Sequence, residues 1–307
     1  MDMDISAIIC TFNRAVYLRK AIESLAEQTL PRERYEILVV DNCSTDATKQ
    51  TVLEAQNVAP NLRYLYEPIQ GLSQCRNTGL ASAAGRYIAY LDDDAVADRR
   101  WLESILDCFN RSQADAVGGA SYLTWENEPE SWLQPRFHGY LGYLDLGNVA
   151  KPLRSPEYPF GLNMAFKKSS LVAVGGFPAF LGRSGCNLMG NEERAVFTAM
   201  EEKGMQVWYE PNAAIHHFVP KERMSVDFML RRSFAQGASD AIFHRRIQKI
   251  STARYLFNLI RSAIWILFIG KIRLLVVREP RKRLKAEMSI ALRRGYISQA
   301  LPLRFSK

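Results

Sequence analysis

The chain has few cysteines, no expected secretory leader, no fixed-period repeat and no long uncharged apolar run, and each lack argues against a class of protein. Its five cysteines, at 10, 43, 75, 108 and 186, are scattered and never spaced C-x-x-C. That pattern argues for a reducing compartment and against a disulfide framework or structural zinc. The absence of repeats or low-complexity tracts argues against a solenoid. Residues 1–4 are acidic where a signal peptide carries positive charge, and the apolar run 5–10 is too short for its core, so the expected location is cytoplasmic. No G-x-G-x-x-G follows the first apolar segment and no G-x-x-x-x-G-K-[S/T] occurs, which counts against dinucleotide and P-loop chemistry. No nucleophilic Ser-His or Cys-His constellation is evident.

What is present is an ordinary globular composition, 48% hydrophobic and 23% charged over 307 residues, enough for one large domain or two smaller ones. The formal net charge of +8 hides an asymmetry. Residues 1–230 hold 22 Lys/Arg and 29 Asp/Glu, whereas 231–307 hold 18 and 3, so the body is −7 and the tail +15. A basic tail on an acidic body suits an anionic membrane face and not nucleic acid, which would meet a basic groove in the body.

The organising stretch is the apolar segment 87–91, which runs directly into Asp92, Asp93 and Asp94. An uncharged run of β-branched, aromatic and aliphatic residues reads as a buried strand. Acids at the carboxyl end of a parallel strand sit where open α/β sheets bind ligands. Three adjacent carboxylates need positive charge nearby, and hard oxygen ligands favour Mg²⁺ or Mn²⁺ with a substrate phosphate completing the shell. The competing reading is a solvated acidic turn capping the next helix.

Upstream, strands are expected at 5–10, 35–40 and 62–66, with helices at 15–29, from 44–46 to about 56, and to about 84. Leu18, Ala21, Ile22 and Leu25 mark the apolar face of the first helix. Strand, helix, strand, helix opens a parallel sheet. Gly71 permits close backbone approach, and Arg76 offers phosphate a cation or simply forms a salt bridge. Downstream, Glu192 and Glu193 open a helix at about 194–203, as a catalytic base or as N-terminal helix charges. His216 and His217 follow a short strand at 207–209, where an imidazole would complete a metal shell. Residues 125–148, rich in aromatics, form either an acceptor surface or a covering loop, and 182–190 suggest a mobile segment.

These ordered motifs, over roughly 4–235, resemble the family 2 glycosyltransferases. The resemblance implies an α/β GT-A (Rossmann-like) fold, a mixed and mainly parallel sheet flanked by helices, and a nucleotide-sugar donor. I-C-T-F-N-R at 9–14 looks like the first strand end of that family, placing Thr11, Asn13 and Arg14 near the nucleotide. D-N-C-S-T-D at 41–46 resembles its D-D-G-S-T-D, with Asp41 implied as acceptor for the base; Asn42 and Cys43 depart from the pattern. The stretch 71–77 is similar to G-x-x-x-x-R-N, adding Gly71, Arg76 and Asn77, and 160–164 to a segment that places Asn163 by the donor sugar. Asp92, Asp93 and Asp94 resemble D-x-D: Asp92 toward the ribose and metal, Asp94 on the metal, Asp93 assisting. G-N-E-E at 190–193 stands where the family has G-G-E-D, implying Glu193 as catalytic base with Glu192 as the alternative, and H-x-V-P fits His217 as a metal ligand.

The domains expected are 1–222, with a nucleotide-binding half 1–95 and an acceptor and base half 96–222, and a helical basic tail 223–307. In the apolar stretch 255–277 of the tail, Arg261, Lys271 and Arg273 leave 262–270 as the longest uncharged run, against about 20 residues for a spanning helix, which favours an interfacial helix over a single span. The function implied is inverting transfer from a UDP-sugar or related donor to a glycan or lipid-linked acceptor, peripheral on the cytoplasmic membrane face. A sugar nucleotidyltransferase and a non-catalytic membrane-binding protein are the alternatives.

Overall fold

The computed structural model describes residues 3–185 and 187–300. Met1, Asp2, Cys186 and residues 301–307 lie outside the described residues, as do the side chains of Pro280 and Arg281 at the start of the basic run of the tail.

The chain divides into two compact units. The first comprises Met1–Glu126, Leu141–Phe180 and Glu192–Val219, and the second Asn127–Tyr140, Leu181–Asn191 and Pro220–Lys307. The division falls after Val219, and two earlier segments join the second unit. Spatial grouping, not chain order, sets the division.

The first unit is built on one sheet. Its strands are β1 (Ile5–Thr11), β2 (Tyr35–Asp41), β3 (Leu62–Tyr66), β4 (Tyr87–Asp92), β5 (Ala95–Ala97), β6 (Ala116–Trp125), β7 (Lys151–Leu153), β8 (Asn163–Lys167) and β9 (Val207–Val219). Their order is β3-β2-β1-β4-β8-β6-β9-β5, with β7 also on β9. The first four are parallel, β8 is antiparallel to both its neighbours, and β6 and β9 are parallel. The chain builds outward from β1 to β3, then returns to place β4 on the other side of β1. The seam between β1 and β4 is therefore a topological switch point, where such sheets open a ligand crevice.

The core explains why the central strands read as unbroken apolar runs: both faces are covered. Ile5, Ala7 and Ile9 of β1 point to one side, toward Leu18, Ile22 and Leu25 of α1 (Ala15–Ala26). Ile8 points to the other, with Leu38, Ile88 and Tyr90. Each fully buried side chain of this size contributes about 1.5–3 kcal/mol. Helix α1 ends three residues before the expected 29, because Gln28 turns its amide to the carbonyls of Ser24 and Asp98 (3.0 and 2.8 Å). Helices α2 (Thr48–Ala55), α3 (Leu72–Ser82), α4 (Trp101–Ser112), α5 (Lys168–Ala173) and α6 (Glu192–Glu202) complete the layers.

Strand β9 runs far past the expected 209, and its pairing with β6 shifts between Gly119 and Ser121. Four residues, 211–214, bulge there opposite Ala120 alone. A side chain at Gly119 would put its β-carbon 1.6 Å from the Ala213 carbonyl oxygen, so only glycine fits. Beyond the bulge β9 continues to His216 and His217.

The second unit is helical: α7 (Val226–Ile242), α8 (Thr252–Ile264), α9 (Lys271–Val276) and α10 (Pro280–Ser298). Gly237 of α7 and Gly295 of α10 let the backbones touch; added β-carbons would lie 1.7 and 1.9 Å from Leu292 and Phe234 carbonyl oxygens. Among the described residues no helix is long and apolar enough to cross a membrane.

Candidate active site

Strands β1 and β4 pair in register to Cys10 and Asp92, so Thr11 and the three aspartates emerge together at the switch point. The cation that the acids require is supplied from within. Arg14, just beyond β1, donates to Asp93 Oδ1 (2.7 Å) and Asp94 Oδ2 (2.6 Å), and the Thr11 hydroxyl donates to Asp93 Oδ2 (2.8 Å). Burial and the neighbouring Asp94 and Asp92 push the Asp93 carboxyl up to about 6, although Arg14 and Thr11 pull it down. Burial works against the Arg14 charge, but Asp93 and Asp94 outweigh it and hold the guanidinium more firmly protonated than usual.

Asp94 also faces β9. Phe218 N–H donates to its carbonyl (2.8 Å), and Ala95 pairs with His217, which brings His217 Nε2 to 3.3 Å from Asp94 Oδ1. His217 Nδ1 lies 2.7 Å from the Leu141 carbonyl. A carbonyl only accepts, so Nδ1 carries a proton, and Nε2 is the nitrogen that faces the carboxylate oxygen. Two acceptors at that distance need a proton or a cation between them. An imidazole oriented through its far nitrogen by a carbonyl is the usual setting of a metal-ligating histidine. His216, one residue earlier, points to the opposite face, 3.2 Å from Asp98 Oδ1.

The pair fits Mg²⁺ or Mn²⁺, which take few protein ligands when a substrate phosphate completes the shell. Among the described residues no group of three His, Cys, Asp or Glu side chains is close enough to hold an ion alone. Asp92, about one-third exposed, is nearest to Arg76 Nη2, at 3.7 Å.

A second buried knot lies beside the first. Arg76, on α3 and 2% exposed, lies 5.3 Å from the Phe177 ring centroid. It donates to Glu192 Oε1 (2.8 Å) and the Gly161 carbonyl (3.0 Å). Burial opposes its charge, but Glu192 and Asp92 raise its pKa above the ordinary arginine value. Glu192 Oε2 is buried with no hydrogen-bond partner among the described residues. Glu193, next on α6, is half-buried.

The remaining expected residues divide between loop struts and core. Asp41 accepts from Tyr64 OH (2.7 Å) and Ser44 N–H (2.9 Å). Asn13 accepts from Thr45 N–H (2.7 Å), tying the ends of β1 and β2. Asn77 clamps Phe177 by donating to its carbonyl (2.8 Å) and accepting from its N–H (2.9 Å). Asn163 is 2% exposed; it donates to the Ala120 and Ala213 carbonyls (2.9 and 2.8 Å) and accepts from the Trp101 indole (2.9 Å). Expected at the donor sugar, Asn163 has both amide protons committed to the protein and braces the β6–β9 bulge instead. Asn42, expected only as a departure from pattern, is the main loop staple: it donates to the Glu67 and Ile69 carbonyls (3.2 and 2.8 Å) and accepts from Gly71 N–H (2.7 Å). In the aromatic stretch Phe137 is buried while Tyr143 stays partly exposed beside Tyr122. A cleft of about 650 Å³, lined in part by Asp98, Arg99, Tyr122 and Glu210, includes none of the residues in the two knots.

A switch-point sheet with acids at its strand ends is the setting of a nucleotide-binding α/β enzyme, and the comparisons make the class definite as a GT-A glycosyltransferase. The solved structure of a mannosyltransferase, PcManGT from Pyrobaculum calidifontis, in complex with GDP-Man and Mn²⁺, superimposes with a TM-score of 0.66 at 20% identity, covering 98% of this chain and 88% of that one. The model of glycosyl transferase family 2 matches residues 6–175, more than half of the chain, and the chain belongs to that family. Among curated relatives, a glucosyl-dolichyl phosphate glucuronosyltransferase of Haloferax volcanii is 25% identical over 244 residues, 78% of this chain and 77% of its own. The succinoglycan biosynthesis protein ExoM of Rhizobium meliloti is 25% identical over 302 residues, 96% of this chain and 92% of its own.

Proposed function

We propose that the chain is an inverting, metal-dependent glycosyltransferase of glycan and cell-envelope synthesis, moving a sugar from a nucleotide-diphosphate donor to a hydroxyl of a glycan or lipid-linked acceptor. The observation that carries this reading is Asp94 Oδ1 facing His217 Nε2 at 3.3 Å, with Nδ1 already committed to Leu141, beside the switch point. Asp94, His217 and Asp92 would hold Mg²⁺ or Mn²⁺, which when bound neutralises the donor diphosphate and makes it a better leaving group. The GDP-Man and Mn²⁺ of the PcManGT complex support that assignment.

Thr11, Asn13, Arg14, Asp41 and Gly71 frame the donor, and a uridine base is the first choice. Arg76 is spent on Glu192 and Gly161 and acts by positioning. That leaves Glu193 as the base: its carboxylate takes the proton of the acceptor hydroxyl as the oxygen bonds to the anomeric carbon from the face opposite the diphosphate. The anomeric bond to the diphosphate oxygen breaks, and its electron pair leaves with the nucleoside diphosphate. The names of the two curated relatives support a glycan or lipid-linked acceptor. The +15 tail supports attachment to the anionic cytoplasmic membrane face.

The test is turnover of UDP- and GDP-sugars with Mn²⁺ by Asp94→Ala and Glu193→Gln. Each should lose about 100-fold or more while keeping a native circular-dichroism spectrum. Near-normal rates in both variants would overturn the assignment.

A further inference from the structure

Helix α8, the π-helical turn Trp265–Gly270 and α9 form one continuous helical run, 252–276. One side turns into the second unit: Tyr255 and Ser262 are buried, and the Arg293 guanidinium lies 4.2 Å from the Trp265 ring centroid. The other side carries Phe257, Ile260, Ile264, Leu267, Phe268 and Leu275, each 50–84% exposed. Their spacing of mostly three, four or seven residues makes a single stripe. A soluble surface rarely leaves an apolar band of this extent in water.

Charge narrows what covers the stripe. From 251 to 278 the chain holds Arg254, Arg261, Lys271, Arg273 and Arg278 and no Asp or Glu. A second copy docked stripe to stripe would set five cations against the same five. An anionic lipid surface meets both features, with the stripe among the upper acyl chains and the basic side chains reaching the headgroups. The run spans about 37 Å at about 1.5 Å per residue. Leu256, Ile269, Ile272 and Val276 widen the stripe, but Arg254, Arg261, Lys271 and Arg273 recur along it, and among the described residues no helix is long and apolar enough to cross a membrane. That combination suits a helix lying in a bilayer interface.

We propose that 252–276 is an in-plane membrane-docking helix whose Phe257–Leu275 stripe enters the headgroup boundary of an anionic bilayer. This rests on the membrane attachment inferred above and narrows it to one face. The full chain, as wild type, Phe257→Ser/Phe268→Ser and Lys271→Glu/Arg273→Glu, is sedimented with vesicles of equal parts phosphatidylglycerol and phosphatidylcholine, and with phosphatidylcholine alone. Wild type should sediment with the mixed vesicles only, and each double variant should lower its partition about ten-fold or more with an unchanged circular-dichroism melt. If wild type sediments and the variants follow it equally, attachment stands and the proposed face is wrong. If wild type stays in the supernatant, both fail, and a dimer dissolved by the phenylalanine variant would assign the stripe to self-association. Glycosyl transfer to a soluble acceptor, measured separately, keeps the catalytic reading independent of these outcomes.

Discussion

Two arginines in the first unit hold acids in opposite ways. The Arg76 side chain is 3% exposed, beside an aromatic ring, and grips a glutamate of which 5% is exposed. The Arg14 side chain is 23% exposed and spans two aspartates that are themselves only 6% and 1% exposed. The Arg76 pair has neither member open to water, whereas the Arg14 guanidinium keeps an edge at the surface, where the proposed function would set a ligand phosphate. The two ion pairs thus differ in the access of the cation, not of the acids, to water.

The sharpest break of that comparison is Arg76→Met, which strands Glu192 and should cost about 3–5 kcal/mol in urea unfolding. Arg76→Met/Glu192→Gln, which removes both charges, should recover most of it. An equal loss in the double variant would mean that packing on Phe177, not charge, is what Arg76 supplies. Next, Glu36→Gln probes a buried acid remote from both knots. Burial raises the Glu36 pKa, but bonds from Ala84 N–H, the Ser6 hydroxyl and Arg63 outweigh it and hold it below the usual range. A depressed acid stabilises above its unfolded pKa and loses that contribution as pH falls through its folded value. The variant should therefore be about 1–3 kcal/mol less stable at pH 7, with the gap closing below about pH 4. Last is Arg14→Gln, which leaves Asp93 and Asp94, 6% and 1% exposed, without their cation at a position that is itself 23% exposed, and should cost about 1–3 kcal/mol. Its donor affinity should also fall about ten-fold, and a large stability loss with intact affinity would erase the distinction between the two arginines.

Much of the first half of the fold was legible because β1, β2 and β4 are buried on both faces and interrupted by clear turns. Strand β9 was not, since Pro211 and Asn212 lie inside it and only the bulge against Gly119 accommodates them. The acid corner announced itself as three consecutive aspartates, but not its internal cation: Arg14 is 79 and 80 residues from its partners. Asn163 illustrates the reverse. Its motif suggested a ligand contact, and only the folded neighbours, Trp101, Ala120 and Ala213, reveal an amide used up inside the core. His217 was distinguishable from His216 by motif, and strand alternation supplies the physical reason they face apart.

The most direct measurement is calorimetric titration of UDP with and without Mn²⁺ into wild type, Asp94→Asn and His217→Ala, with GDP as the parallel ligand. Binding that needs Mn²⁺ in wild type and weakens at least about ten-fold in both variants is the predicted result. Nucleotide binding of equal strength in all three proteins, indifferent to the ion, would contradict it.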